Sequence, residues 1–331
     1  MRNRLLWVLL LGTAAISAQG EEASIQFMSR AEASAALTDG TAGAYYAKLQ
    51  LAEMRAKTRL ELKDMDLAAA REVTKQAFAA ATEDFTEGER AALREAIEAM
   101  QPMILAQAPL YARTPWSFIK ISDTIEGGLP HSRGDSIVLS ESLARAIAST
   151  PAKANLDHPS GLWALLLHEK THVLQRKYPQ LFVSLYTDVF GFRQAEVTPP
   201  DSLLVQRVIN PDGPIVEWIY PLGKGDSRHW ILPDIELGEL NHPKMPADFK
   251  EVALRVHQVD GSHWAVDEKE PVAMLESLPE YVGAFPVKSE LFHPNEIAAD
   301  MLAEILYGGP KENPQHELWS KTQMWAAKAL R

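Results

Sequence analysis

The 331-residue chain contains no cysteine. That excludes disulfides, thiolate metal sites and a lipid-modified N-terminal cysteine, so any metal centre must be built from histidine and carboxylate. Basic residues are in deficit: 33 Lys and Arg stand against 44 Asp and Glu, a formal charge of −11. A chain of that sign has no electrostatic reason to bind nucleic acid or anionic lipid. Long apolar runs are missing after residue 20, so no transmembrane helix is expected in the body of the protein. Internal repeats and low-complexity tracts are missing too.

The N-terminus carries the one long apolar run. Arg2 and Arg4 precede a mostly apolar stretch from residue 5 to 18, and Ala18-Gln19-Gly20 offers a small-x-small cleavage pattern. The run is short for a membrane span, so residues 1–20 read as a secretory signal peptide. Its removal takes away Arg2 and Arg4 and no acid, moving the formal charge from −11 to −13. The expected location is therefore periplasmic or secreted, with no stable membrane insertion after processing. What remains is long enough for one large or two modest domains.

Residues 21–115 are rich in Ala, Glu, Lys and Arg at helical spacing and form a helical N-terminal region. One helix is expected over residues 66–82. Thr86-Glu87-Gly88-Glu89 reads as a capping box opening the next, with Pro102 close to its end. No chemistry-bearing cluster occurs there, so the region reads as scaffold, with a pro-segment or substrate wall as the other options. At Trp116 the texture changes. Residues 117–121 and 136–140 read as strands around a loop holding Gly127, Gly128, Pro130 and Gly134, and residues 142–149 read as a helix. Residues 116–331 are expected to form the functional domain, an α+β unit with a β-rich insertion at about 200–267. Strands are expected in the insertion at 215–220, 230–232 and 252–258. The insertion either shapes a cleft or decorates the surface.

The chemistry concentrates in His168-Glu169-Lys170-Thr171-His172. An unbroken apolar run, residues 162–167, leads into it. Pro159-Ser160 is placed to cap the helix and Pro179 to close it. Residues four apart share a helix face, so both imidazoles can hold one Zn²⁺. Glu169 sits about a hundred degrees round the helix, placed to take a proton from water at the metal. Two ordinary histidines on an amphipathic helix are the plain alternative. A catalytic zinc usually has a third protein ligand. The metzincin peptidases place Gly three and His six residues after the second His; here those positions are Gln175 and Tyr178. The best remaining source is His293-Pro294-Asn295-Glu296-Ile297-Ala298-Ala299-Asp300, with Pro294 in a first helical turn and Gly308-Gly309-Pro310 as the stop. Glu296, Asp300 and Glu304 fall four apart, a spacing at which like charges repel unless a cation is near. A solvated acidic face is the alternative.

Asn295-Glu296-x-x-x-Asp300 after a His-Glu-x-x-His helix resembles the gluzincin, or thermolysin-like, zinc metallopeptidases. The same residues are similar to those of uncharacterised exported bacterial metallopeptidases. The resemblance covers the two helices and the strand at residues 137–139. It implies a zincin-like core, one Zn²⁺ per chain, Glu296 as third ligand and Asp300 as the carboxylate orienting a ligand histidine. It implies too that the strand at 137–139 is an edge strand that pairs with an extended peptide or protein substrate. The chain departs from thermolysin in spacing: about 120 residues separate His172 from Glu296, so His242, His257 and His263 stand next in line as ligands. A transition-state donor is expected as well. Tyr281 is the first candidate, ahead of His293, His131 and Tyr220.

The reading is an exported zinc-dependent hydrolase, a peptidase first, with Glu169 as base. Two alternatives stay open. One is a catalytically inert zinc-binding module. The other rests on Gly134-Asp135-Ser136 with Asp260-Gly261-Ser262-His263, which resembles the GDS-type serine esterases, although the apolar strand follows Ser136 instead of preceding it.

Overall fold

The computed structural model describes residues 24–150, 161–213, 216–309 and 313–331. The fold is α+β, built on two sheets. The first has the strand order Ile25–Phe27, Trp116–Ile121, Ser136–Ser140, His131–Arg133, with Thr82–Glu83 also paired to Trp116–Ile121. Its first three strands run parallel. His131–Arg133 returns antiparallel to Ser136–Ser140 across a turn in which Gly134 takes a φ of +53°, a conformation that costs glycine little.

Alternation along the central strands separates two cores. Trp116, Phe118, Ile137 and Leu139 face one side and join the cluster that holds Leu166, Leu167 and Leu174 of the helix Leu162–Lys177. Ile119, Ile121 and Val138 face the other and pack with Leu37, Tyr46, Met54 and Phe78 of the N-terminal helices. Both strands are thus covered on both faces. Lys120, buried with them, is matched by Glu89 at 3.1 Å and Glu83 at 3.6 Å.

The described part of the N-terminal region, residues 24–115, is mostly helical and also contributes the strands Ile25–Phe27 and Thr82–Glu83 to this sheet. Asp66 caps Leu67–Ala80, which stops short of 82 because Thr82 enters the sheet. Thr86 and Glu89 form the capping box expected of them. The helix Glu87–Gln107 continues through Pro102 rather than ending near it. Pro102 and Glu98, whose carbonyl loses its donor there, are both exposed, so water substitutes, while Met100 and Ile104 carry the buried stripe across.

The second sheet runs His263–Val266, Arg193–Thr198, Glu217–Leu222, His229–Leu237, Phe249–Asp260, Ala273–Met274. His263–Val266 also pairs with Phe249–Asp260, closing the order on itself around Val197, Ile219, Leu232, Leu254 and Trp264. The β-rich insertion thus spans strands from 193 to 274, wider than the expected 200–267. Arg193–Thr198 escaped the sequence because only Ala195 and Val197 mark its buried face.

One expectation is overturned by topology. The strand at 137–139 is interior, and the edge belongs to His131–Arg133. Among the described residues no helix is long and apolar enough to cross a membrane. The segments 1–20 and Pro159-Ser160 lie outside the described residues.

Candidate metal centre

Two helices carry the centre. Leu162–Lys177 buries Trp163, Leu166, Leu167, Val173 and Leu174, which fixes its rotation and turns His168 and His172 to the same side. Gly161 is its N-cap, and Tyr178-Pro179 ends it. Pro294–Leu306 packs in the same core through Ile297, Ala298, Met301 and Leu302. Pro294 occupies its first turn, and the Nδ1 of the cap residue His293 accepts the Asn295 N–H at 3.2 Å.

The two imidazoles meet through Nε2, 2.9 Å apart. Glu296 Oε2 lies 3.1 Å from His172 Nε2 and 3.3 Å from His168 Nε2. The other ring nitrogens are tied down. His168 Nδ1 meets Asp300 Oδ1 at 2.8 Å, and His172 Nδ1 meets Gln175 Oε1 at 2.8 Å. Gln175 Nε2 donates to the Asn295 carbonyl at 2.9 Å, which settles its amide orientation. Both partners of Nδ1 are acceptors, so both Nδ1 atoms carry the proton. Neutral rings then present two Nε2 lone pairs to each other and to a carboxylate, an arrangement that a shared cation relieves. The set matches the His₂Glu chemistry of a metal site with an open position, and an outer acceptor on each imidazole is the usual accompaniment.

The electrostatics agree. Burial disfavours charge on His168, yet its hydrogen bonds to Asp300 and Glu296 hold its pKa well above the ordinary value. Burial is likewise outweighed by Glu296 at His172, which is lifted to about 9. Burial would raise Glu296, but His172 and His168 hold it well below the usual carboxylate range. The shifts of all three groups favour positive charge at the point where they meet.

Glu169 is 3% exposed, and its Oε2 has no hydrogen-bond partner. Burial, then the nearby Asp212 carboxylate, pushes its pKa up to about 8. Ligand atoms of Glu169, His172 and Asp212 lie within 4.8 Å of one another, as do those of His168, His172 and Glu296 and those of His168, Glu290 and Asp300. Asp212 is itself anchored, accepting from the Ser132 amide and, at 2.8 Å, from the Ser132 hydroxyl. Asn210 Nδ2 donates to Glu296 Oε1, the oxygen turned away from the histidines.

His168, Glu169, Asn210, Asp212, Glu296 and Asp300 border a cavity of about 750 Å³. Leu129, Pro130, Val208, Met245, Phe249 and Phe292 give it apolar walls. Its carboxyl side chains are Glu126, Glu169, Asp212, Glu251, Glu290, Glu296, Asp300 and Glu304, against Lys57 and Lys288. Lys57 is spoken for: its Nζ donates to Tyr45 Oη and the Ile209 carbonyl and pairs with Glu53 at 3.1 Å and Glu126 at 3.4 Å.

Comparison with family models, with curated proteins and with solved structures gives no match. Function must be argued from the geometry alone.

The structure brings His168, Glu169, His172, Glu296 and Asp300 together as expected. It does not bring Tyr281, which is fully buried with its hydroxyl donating to the Leu291 carbonyl at 2.6 Å, outside the cavity wall. Tyr281 precedes the helix Pro294–Leu306 by a short apolar stretch, and its ring belongs to core packing with Tyr220 and Phe285. His293 serves as helix cap, with Nε2 on the Val216 carbonyl at 3.3 Å, and Tyr220 also lies off the cavity. Of the four donor candidates only His131 lines it. His242, His257 and His263 are exposed and stand outside the cavity wall. Ser136 donates its hydroxyl to Ser117 at 2.9 Å, while His263 pairs with Glu196 and Asp260 in the other sheet. The sequence reading missed the roles of Gln175, Asn210 and Asp212. Gln175 could have been found, three residues after His172 on the same helix face. The loop pair carried no local signal.

Proposed function

We propose that this protein is an exported zinc-dependent hydrolase with a zincin-like core, and that it acts on peptide or protein substrates. The single observation that carries the reading is the convergence of His168 Nε2, His172 Nε2 and Glu296 Oε2, with both Nδ1 atoms engaged elsewhere. A zinc ion held by His168, His172 and Glu296 would supply Lewis acidity to a scissile carbonyl and to water. Glu169 receives the proton of the attacking water at its unpartnered Oε2 and returns it to the departing amine. Asp300 and Gln175 hold the two imidazoles in the tautomer the centre needs. The acidic, partly apolar cavity supports an amide-bearing substrate over a nucleic acid or a lipid surface.

Turnover of a generic protein such as casein, measured with and without a chelator, tests the proposal. Loss in chelator and recovery on adding zinc are expected, and a serine-directed phosphonate is expected to have no effect. Chelator-resistant turnover would count against it. A second reading rests on Asp212, which lies close enough to His172 to close a fourth position and leave an inert structural centre. Asp212→Asn separates the two: zinc is retained in a hydrolase and lost from a closed site. The N-terminal pattern supports export, and a mature protein beginning near Gln19 or Glu21 in the native host is the matching expectation.

A further inference from the structure

The strand His131–Arg133 is the sheet edge beside the cavity, and His131 is part of the cavity wall. An exposed edge is where an extended peptide adds as a further strand. Here the outward N–H of Ser132 is already taken by the Asp212 carboxylate. The loop carrying Asp212 is fastened behind it, because the Pro211 carbonyl accepts from Arg133 at 3.2 Å and from Arg176. A bound chain cannot pair further along this edge at Ser132, so the cavity suits a chain end better than a continuing strand. A volume of about 750 Å³ suits the end of a peptide and is small for a folded segment.

Which end it is follows from the chemistry of the wall. The buried polar atoms left unmatched there are acceptors. Glu169 Oε2 is one, and Glu126 Oε2, which has only its ion pair with Lys57 at 3.4 Å, is a second. His131 Nε2 is the third: its Nδ1–H goes to the Leu129 carbonyl at 3.2 Å, leaving Nε2 as a bare lone pair in a residue 1% exposed. Lys57 has no donor to spare, and the wall's other lysine, the exposed Lys288, stands against eight carboxyl side chains. Glu290 stands at the rim with Oε2 3.9 Å from His168 Nε2 and its side chain half exposed. Its φ of +56° is a left-handed conformation, costly for a non-glycine residue and kept where the surroundings demand it. A carboxylate terminus would meet this wall with repulsion. An ammonium brings three donors and a charge of the right sign.

Resting on the peptidase reading, we propose that the cavity receives peptides by their amino end, with Glu290 binding the α-ammonium next to the scissile bond. Binding is measured by calorimetry on the zinc-loaded Glu169→Gln variant, so that the peptide stays uncut. The ligands are one tripeptide in three forms: free, N-acetylated and C-amidated. The free and C-amidated forms are expected to bind alike and the N-acetylated form about tenfold more weakly, the size of a charged hydrogen bond. Adding Glu290→Gln is expected to shrink that gap below about threefold, and Glu290→Asp to restore part of it. An acetylated tripeptide binding as tightly as the free one would overturn the proposal. So would an acetylated peptide with an internal lysine that binds as tightly, which would assign the subsite to a side-chain ammonium. Internal cleavage of acetylated peptides by the wild-type protein would remove the amino-end assignment and leave the peptidase reading standing. Failure of the zinc-loaded wild type to cleave any peptide would remove both.

Discussion

His168 and His172 each spend one nitrogen on an outer acceptor and turn the other inward, and the outer partners differ in kind. Asp300 is a carboxylate and partly exposed; Gln175 is a neutral amide, 1% exposed. Removing an outer partner typically costs about 10–100-fold in metal affinity. Asp300→Ala is therefore expected to weaken zinc by that factor without abolishing it, as read by competition with a chromophoric chelator; unchanged affinity would deny Asp300 its orienting role. His131 gives a pH signature at the same scale. Burial, then Arg133, lowers its pKa from 6.5 to about 4. Between those values the unfolded chain binds the proton and the folded one does not, so stability falls as pH drops from 6.5 to 4. The linkage amounts to about 3 kcal/mol at most. In urea titrations of metal-free protein, His131→Phe is expected to lose less stability across that window than the wild type does; equal slopes would contradict it.

At the level of elements, the pairing of two distant helices decides the site. Gln175 links them, joining His172 to the Asn295 carbonyl. Gln175→Ala leaves a buried donor and a buried acceptor unpaired, so a loss of about 1–3 kcal/mol is expected in chelator-treated protein. A denaturation midpoint unchanged from wild type would show that the link carries no weight. How much of this could be read from sequence depended on range. The motif helix, the strands at 117–121 and 136–140, the capping box at Thr86 and the helix opened by Pro294 all announce themselves within a few residues. The four-residue spacing put Glu296, Asp300 and Glu304 on one helix face, and the resemblance to the gluzincins gave Glu296 and Asp300 their separate roles. What stayed hidden is non-local. The resemblance assigned the edge to residues 137–139, and nothing local shows that His131–Arg133 folds back beside them. Asn210 and Asp212 reach the centre through a loop with no periodicity, and Tyr281 misled because a buried aromatic near a helix reads alike whether it packs or acts.

Across the whole molecule, the first sheet stands between two apolar cores, and one N-terminal helix helps build the cavity that holds the chemistry. Lys57, from the helix Leu51–Thr58, lines that cavity and ties Glu53 to Glu126. The N-terminal region is thus a wall of the site as well as scaffold. Metal binding should stabilise this assembly as a unit, since a ligand that binds only the folded state at a hundredfold excess over its dissociation constant adds about 2.7 kcal/mol. The central claim is that His168, His172 and Glu296 hold one zinc while Glu169, one residue from a ligand, does not. Metal analysis of the purified mature protein and three variants tests it most directly. One zinc per chain is expected in the wild type and in Glu169→Gln, which should keep its fold and lose about 10²–10⁴-fold in turnover. His172→Ala and Glu296→Gln are expected to fall far below one zinc per chain. Full zinc in His172→Ala, or zinc lost from Glu169→Gln, would contradict the account.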